Sequence, residues 1–223
     1  MPLCQHVVVS SPRVARLAAV LFLPAPVFVS LPAAVPAAAQ PCSDVEVVFA
    51  RGTNEPPGVG MVGQAFIDSL SSQVGGRSVG VYAVNYPASD NYISGAADGS
   101  DDARTHIQDI VASCPATKVV VGGYSQGAAV TDLATAALPP KTTDHVAAVA
   151  LFGTPSSSFA SMLAGGELLP TTNPAYAAKT IDLCADGDPI CSPGGNILAH
   201  VSYAQSGMTD QAATFAVTKI DQH

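Results

Sequence analysis

Four short runs in this chain are largely apolar, "VEVVFA" (45–50), "VGVYAV" (79–84), "KVVVGG" (118–123) and "HVAAVALFG" (145–153), and "KTIDL" (179–183) reads as a short fifth strand. A strand with one wet face alternates apolar and polar residues. A strand that is apolar throughout, rich in β-branched residues and bounded by turn residues must be covered on both faces. The segments between the runs carry a different period. In 60–74, Met61, Ala65, Phe66, Leu70 and Val74 fall at helical intervals, and in about 98–113 Ala103, Ile107, Ile110 and Val111 do the same. A third helix is expected from 125 to 137, stopped by Pro139-Pro140, and a closing helix from 209 to 220. Residues 85–97 hold Pro, Asn and Gly and read as a loop, and 159–178 read as irregular. Strands alternating with helices make a parallel sheet with helices on both faces. The expected fold is therefore a compact, doubly wound, five-stranded parallel α/β domain, with function at the carboxyl ends of the strands. There is no internal repeat and no linker, so residues 40–223 are expected to form a single domain.

Residues 1–39 read as an export signal. Arg13 and Arg16 precede an apolar run at 17–23, and Ala37-x-Ala39 is a small-residue cleavage site. Pro24 and Pro26 cut the run well short of the roughly 20 residues a spanning helix needs. The remainder is expected to be secreted, with no stable membrane span. The formal net charge is −8, and removing the leader's two arginines makes it more negative. No basic patch is available to neutralise phosphates, which argues against nucleic acid as a partner and against docking on anionic lipid. Of five cysteines, Cys4 lies in the leader; Cys42, Cys114, Cys184 and Cys191 remain. An even number in an exported chain implies two disulfides, with three connectivities possible. A zinc site is the rival, but the pairs lack the close spacing of zinc ligands and no histidine sits at a ligand interval.

The chemistry is carried by "GGYSQGAAV". Gly123-Tyr124-Ser125-Gln126-Gly127 is a G-x-S-x-G between an expected strand and an expected helix, the context of a nucleophile elbow. Side chains at the two glycines would collide with the neighbouring strand and helix, and Ser125 would stand at a helix N-terminus that favours negative charge. On such folds an acid and then a histidine follow the serine in the chain. His6 lies in the leader, His106 precedes the serine, His145 precedes any suitable acid, and His223 is terminal; His200 remains. The acid comes from "DLCADGDPIC" (182–191), which offers Asp182, Asp186 and Asp188. A literal G-x-G-x-x-G at 58–63 is separated from its strand by "RGTNEPP" and lacks the acidic residue about 20 positions on, so a nucleotide cofactor is not expected.

Three motifs together, "VVFARGT", "GGYSQG" and "CADGDPIC" followed by a histidine, resemble the cutinase-like family of secreted serine esterases, over the chain from about Cys42 to the C-terminus. The resemblance implies a small lidless α/β-hydrolase that cleaves carboxylic esters, with Ser125 as nucleophile, His200 as base and Asp188 as the acid. Asp182 then ends a strand, and Asp186 with Gly187 makes a turn. It implies an oxyanion hole from the backbone N–H groups of Gln126 and Thr53, and the bridges Cys42–Cys114 and Cys184–Cys191. It needs no cofactor and no metal. The expected partner is an ester or lipid substrate, met by a monomer and held between apolar lips at Tyr86, Tyr92 and Ile93 and at Ile197 and Leu198. An acyltransferase using the same acyl-enzyme, or a non-catalytic surface protein on the same fold, are the competing readings.

Overall fold

A computed structural model of the protein describes residues 41–222; the expected export signal and His223 lie outside the described residues. The strands are β1 (Val45–Ala50), β2 (Val79–Ala83), β3 (Lys118–Tyr124), β4 (Val146–Phe152) and β5 (Thr180–Leu183). Between and after them run the helices α1 (Gly60–Gln73), α2 (Tyr92–Ser113), α3 (Gln126–Ala137), α4 (Ser158–Leu163), α5 (Ile197–His200) and α6 (Met208–Gln222). All strand pairs are parallel, in the order β2-β1-β3-β4-β5.

The unbroken apolar runs are explained by two cores, one on each face. Val45, Val47 and Phe49 of β1 point to the face covered by α1 and α6, where they meet Phe66, Leu70, Ala213 and Ala216. Val48 and Ala50 point to the other face, where α2 and α3 bring Ile107, Ala129 and Val130. Strands β1 and β4 are buried at every position. Each fully buried Val, Leu or Phe contributes about 1.5–3 kcal/mol by leaving water. Edge strand β2 is only half-buried.

The order places the functional end. From β1 the chain turns outward to β2, then crosses back to β3 on the other side of β1. Such a reversal opens a crevice at the carboxyl ends of the two strands that part there. Thr53 follows β1 and Ser125 follows β3, so the crevice lies between these two residues.

Helix α2 begins at Tyr92, six residues before the sequence pattern placed it. Gly95 falls in the expected loop and Gly99 at the start of the expected helix, and both are packing positions. A Cβ on Gly99 would lie 2.9 Å from Val130 Cγ2, and one on Gly95 would lie 3.2 Å from the Gln126 amide nitrogen. The irregular segment 159–178 also holds α4, whose first turn is capped by the Ser157 hydroxyl accepting from Ala160 N at 3.0 Å, and a short 3₁₀ turn at Pro174–Lys179. Disulfides join Cys42 to Cys114, tying the start of the domain to the end of α2, and Cys184 to Cys191, closing the loop after β5. None of the described helices is long and apolar enough to cross a membrane.

Candidate active site

Ser125 sits between β3 and α3 with φ 56° and ψ −118°. Only glycine reaches that region without strain, and a serine there costs on the order of 1–3 kcal/mol. The neighbourhood enforces it. Ser125 N donates to Phe152 O at 2.9 Å, and the chain turns at once into α3. A Cβ on Gly127 would lie 1.9 Å from Ala50 O, and one on Gly123 would lie 2.0 Å from Gly127 O. Both glycines are therefore required by close backbone approach, and the serine hydroxyl is lifted out of the sheet.

His200 ends α5, a single turn whose cap is Asn196, accepting from Leu198 N at 2.9 Å. Its Nε2 lies 2.8 Å from Ser125 Oγ and its Nδ1 lies 2.7 Å from Asp188 Oδ2. Asp188 is fully buried. Burial pushes its carboxyl up, but hydrogen bonds from His200, Tyr203 and the Ile190 amide outweigh burial and hold it below the ordinary carboxylate range. The anion is kept by donors, as a buried charge must be. The approach of His200 to Asp188 needs Gly153 just after β4, where a Cβ would lie 2.9 Å from His200 Cε1 and 3.1 Å from Asp188 Oδ2.

The other candidate acids and histidines are elsewhere. Asp182 is on β5 and accepts from the Thr154 hydroxyl at 2.7 Å; Asp186 is exposed. His106 stacks on Tyr82 with ring centroids 3.6 Å apart and meets Glu46 at 3.1 Å, and His145 precedes β4.

Thr53 faces the serine across the crevice. Its hydroxyl donates to Gln126 Oε1 at 3.1 Å, while Gln126 Nε2 donates to Ser89 O and Tyr92 O at 3.1 and 3.0 Å. Two residues to which the motifs assign no role, Arg51 and Glu55, hold the Thr53 loop in place. Glu55 accepts from Gly52 N at 2.7 Å and from Met61 N at 2.8 Å. Arg51, almost fully buried, donates to Glu55 O at 2.9 Å and Tyr86 O at 2.8 Å. A charged pair of positions directly after a buried strand, in a chain with only 12% charged residues, was the available clue.

Above Ser125 opens a cavity of about 420 Å³, whose walls include Tyr92, Ala160, Leu163, Ile190, Ile197 and Val201. Tyr92 and Ile197 were expected in the lips. Tyr86 was too, but it is buried: its hydroxyl donates to Arg51 O and its ring lies under the guanidinium. Ile93 and Leu198 are exposed beside the cavity residues. The α4 wall was invisible to the strand–helix pattern, because one helical turn is too short to show a period.

Residues 41–220 match the family model described as Cutinase. This chain belongs to the cutinase family. Among its relatives, it is 68% identical over 194 residues to "Carboxylesterase Culp1" of Mycobacterium tuberculosis, covering 86% of this chain and 89% of that one. It is 49% identical over 218 residues to "Phospholipase Culp4" of the same organism, covering 93% and 92%. Among solved structures, the Trichoderma reesei cutinase in complex with a phosphonate inhibitor superposes with a TM-score of 0.66 at 40% identity, over 81% of this chain and 78% of that one. The family and these relatives put this chain among the carboxylic ester hydrolases, with the five-stranded α/β-hydrolase-like sheet described above.

Proposed function

We propose that this cutinase hydrolyses carboxylic esters by acyl transfer through Ser125, with His200 as general base and then general acid and Asp188 as its partner. The observation that carries the reading is the unbroken contact from Ser125 Oγ to His200 Nε2 (2.8 Å) and from His200 Nδ1 to Asp188 Oδ2 (2.7 Å). With the Nδ1 proton held by the carboxylate, Nε2 is left to accept the serine proton. Oγ bonds to the ester carbonyl carbon as its proton passes to Nε2. The C–O bond to the alcohol then breaks, and the alcohol leaves with that proton. Water, deprotonated by the same nitrogen, releases the acid and restores Ser125.

The tetrahedral oxyanion would be received by the Gln126 N–H, at the start of α3, and by the Thr53 N–H. The Thr53 hydroxyl, now turned to Gln126 Oε1, is a third donor within a rotation. Each such donor is worth roughly 10²–10³ in kcat in other enzymes. The apolar walls and a volume of about 420 Å³ suit a short or medium acyl chain, from simple esters, cutin-like polyester or lipid esters. Two disulfides and the leader sequence support work outside the cell. Hydrolysis of p-nitrophenyl esters of graded acyl length tests the reading, with Ser125→Ala as control. The variant is expected to lose turnover by several orders of magnitude, and wild-type turnover no faster than the variant's would overturn it.

A further inference from the structure

Tyr203 lies three residues beyond His200 and has no exposed surface. Its hydroxyl donates to Asp188 Oδ2, the same oxygen that receives His200 Nδ1. It also accepts from Ala185 N at 3.0 Å, and Cys191 Sγ lies 3.5 Å away. The ring packs edge-on against the His200 imidazole, at 6.2 Å and 89°, and against Phe152 and Tyr124 at 6.1 and 5.8 Å. The rotamer is thus locked on every side, and the amide at Ala185 takes up the oxygen's lone pair so that its proton is committed to Asp188.

We propose that Tyr203 is a positioning residue for this active site: its hydroxyl sets the orientation and the basicity of the Asp188 carboxylate against which His200 works. The proposal rests on the assignment of Ser125, His200 and Asp188 given above. Asp188 Oδ1 is held by the Ile190 amide at 2.9 Å. Oδ2 otherwise meets only His200 Nδ1, the group the carboxylate must orient, so the Tyr203 hydroxyl is the donor on that oxygen that holds it independently of the imidazole. A phenol on Oδ2 also draws charge from the oxygen facing the imidazole, which reduces the pull of Asp188 on the Nδ1 proton. The remaining groups around the pair do not duplicate this. Tyr124, on β3, donates to His200 O at 2.7 Å, and its ring lies 5.0 Å from the imidazole. Cys184 and Cys191 are bonded to each other, so neither titrates. Burial pushes both tyrosines far above their ordinary range, so they act as neutral donors throughout the working pH.

The test compares kcat, KM and the pH dependence of kcat/KM for wild type, Tyr203→Phe and protein carrying 3-fluorotyrosine at 203, with Ser125→Ala alongside. Tyr203→Phe is expected to lower kcat about tenfold with little change in KM. It should move the acidic limb, which reports protonation of the His200–Asp188 pair, upward by about half a pH unit. Fluorotyrosine keeps the hydroxyl and the packing but is a stronger donor, and should move the limb downward. This arm stands even if Tyr203→Phe does not fold. A limb unmoved in both proteins, with a loss of thermal stability only, would overturn the proposal and leave Tyr203 a core residue. Activity retained by Ser125→Ala would overturn the underlying assignment instead.

Discussion

Asp132 offers a quantitative test of how this domain is held together. It lies on α3, the helix that carries the elbow, and is 1% exposed. Neither carboxyl oxygen has a hydrogen-bond partner of good geometry, and the buried Tyr92 hydroxyl nearby is unpartnered too. Burial pushes the Asp132 carboxyl from an ordinary 3.8 up to about 7; Thr172 offsets a little of this and the charge of Asp182 adds to it. The folded chain therefore takes up a proton that the unfolded chain has lost. Stability linked to this group is complete below the ordinary carboxylate pKa and is lost as pH rises toward 7. A gap of roughly three pH units, at about 1.4 kcal/mol each, amounts to about 4 kcal/mol above pH 8. Asp132→Asn removes the ionisation and keeps the shape. At pH 4 the variant should match wild type or fall below it by the about 1–3 kcal/mol that an unpartnered buried amide costs. At pH 8 its stability relative to wild type should be better than at pH 4 by about 4 kcal/mol. Urea unfolding followed by far-UV circular dichroism measures this; the chain has no Trp to report it. A difference between the two proteins that is flat from pH 4 to 8 would refute the reasoning.

Other changes have equally definite outcomes. Gly127→Ala drives a methyl to within 1.9 Å of Ala50 O and should cost about 2 kcal/mol or more while displacing Ser125; a thermal melt and ester turnover read both effects. Opening Cys184–Cys191 by paired Cys→Ala substitution should depress activity more than stability. A loop that short gains only about 2.5 kcal/mol in chain entropy, against about 4.4 for Cys42–Cys114, yet it carries Asp188. Leu163→Trp narrows the α4 wall of the cavity and should lower kcat/KM for longer p-nitrophenyl esters while sparing the acetate.

What could be read from the chain beforehand followed a physical division. Strand and helix periods are local, and a strand buried on both faces shows no alternation, so the inner strands β1, β3 and β4 stood out as apolar runs, while the edge strands β2 and β5 are only partly buried. Ser125 was legible because the elbow is a five-residue device whose glycines answer a local collision. His200 and the stapled loop were legible because chain order on this fold admits few candidates. Short elements escaped: α4 and α5 have too few turns to show a period, and the first turn of α2 was hidden by Gly95, which packs against Gln126.

The strands and the turn at Ser125 follow from residues close along the chain, and chain order on this fold then leaves few aspartates and histidines that Ser125 could meet. The contacts that the site makes come from the three-dimensional packing. It turned Tyr86 inward under Arg51, committed the Glu55 carboxylate to the Thr53 loop and aimed the Tyr203 hydroxyl at Asp188. It also buried the Asp132 carboxyl with no hydrogen bond of good geometry. Those outcomes depend on which distant segments meet at the carboxyl ends of the strands, and a buried polar group's charge and orientation are set by its neighbours in space.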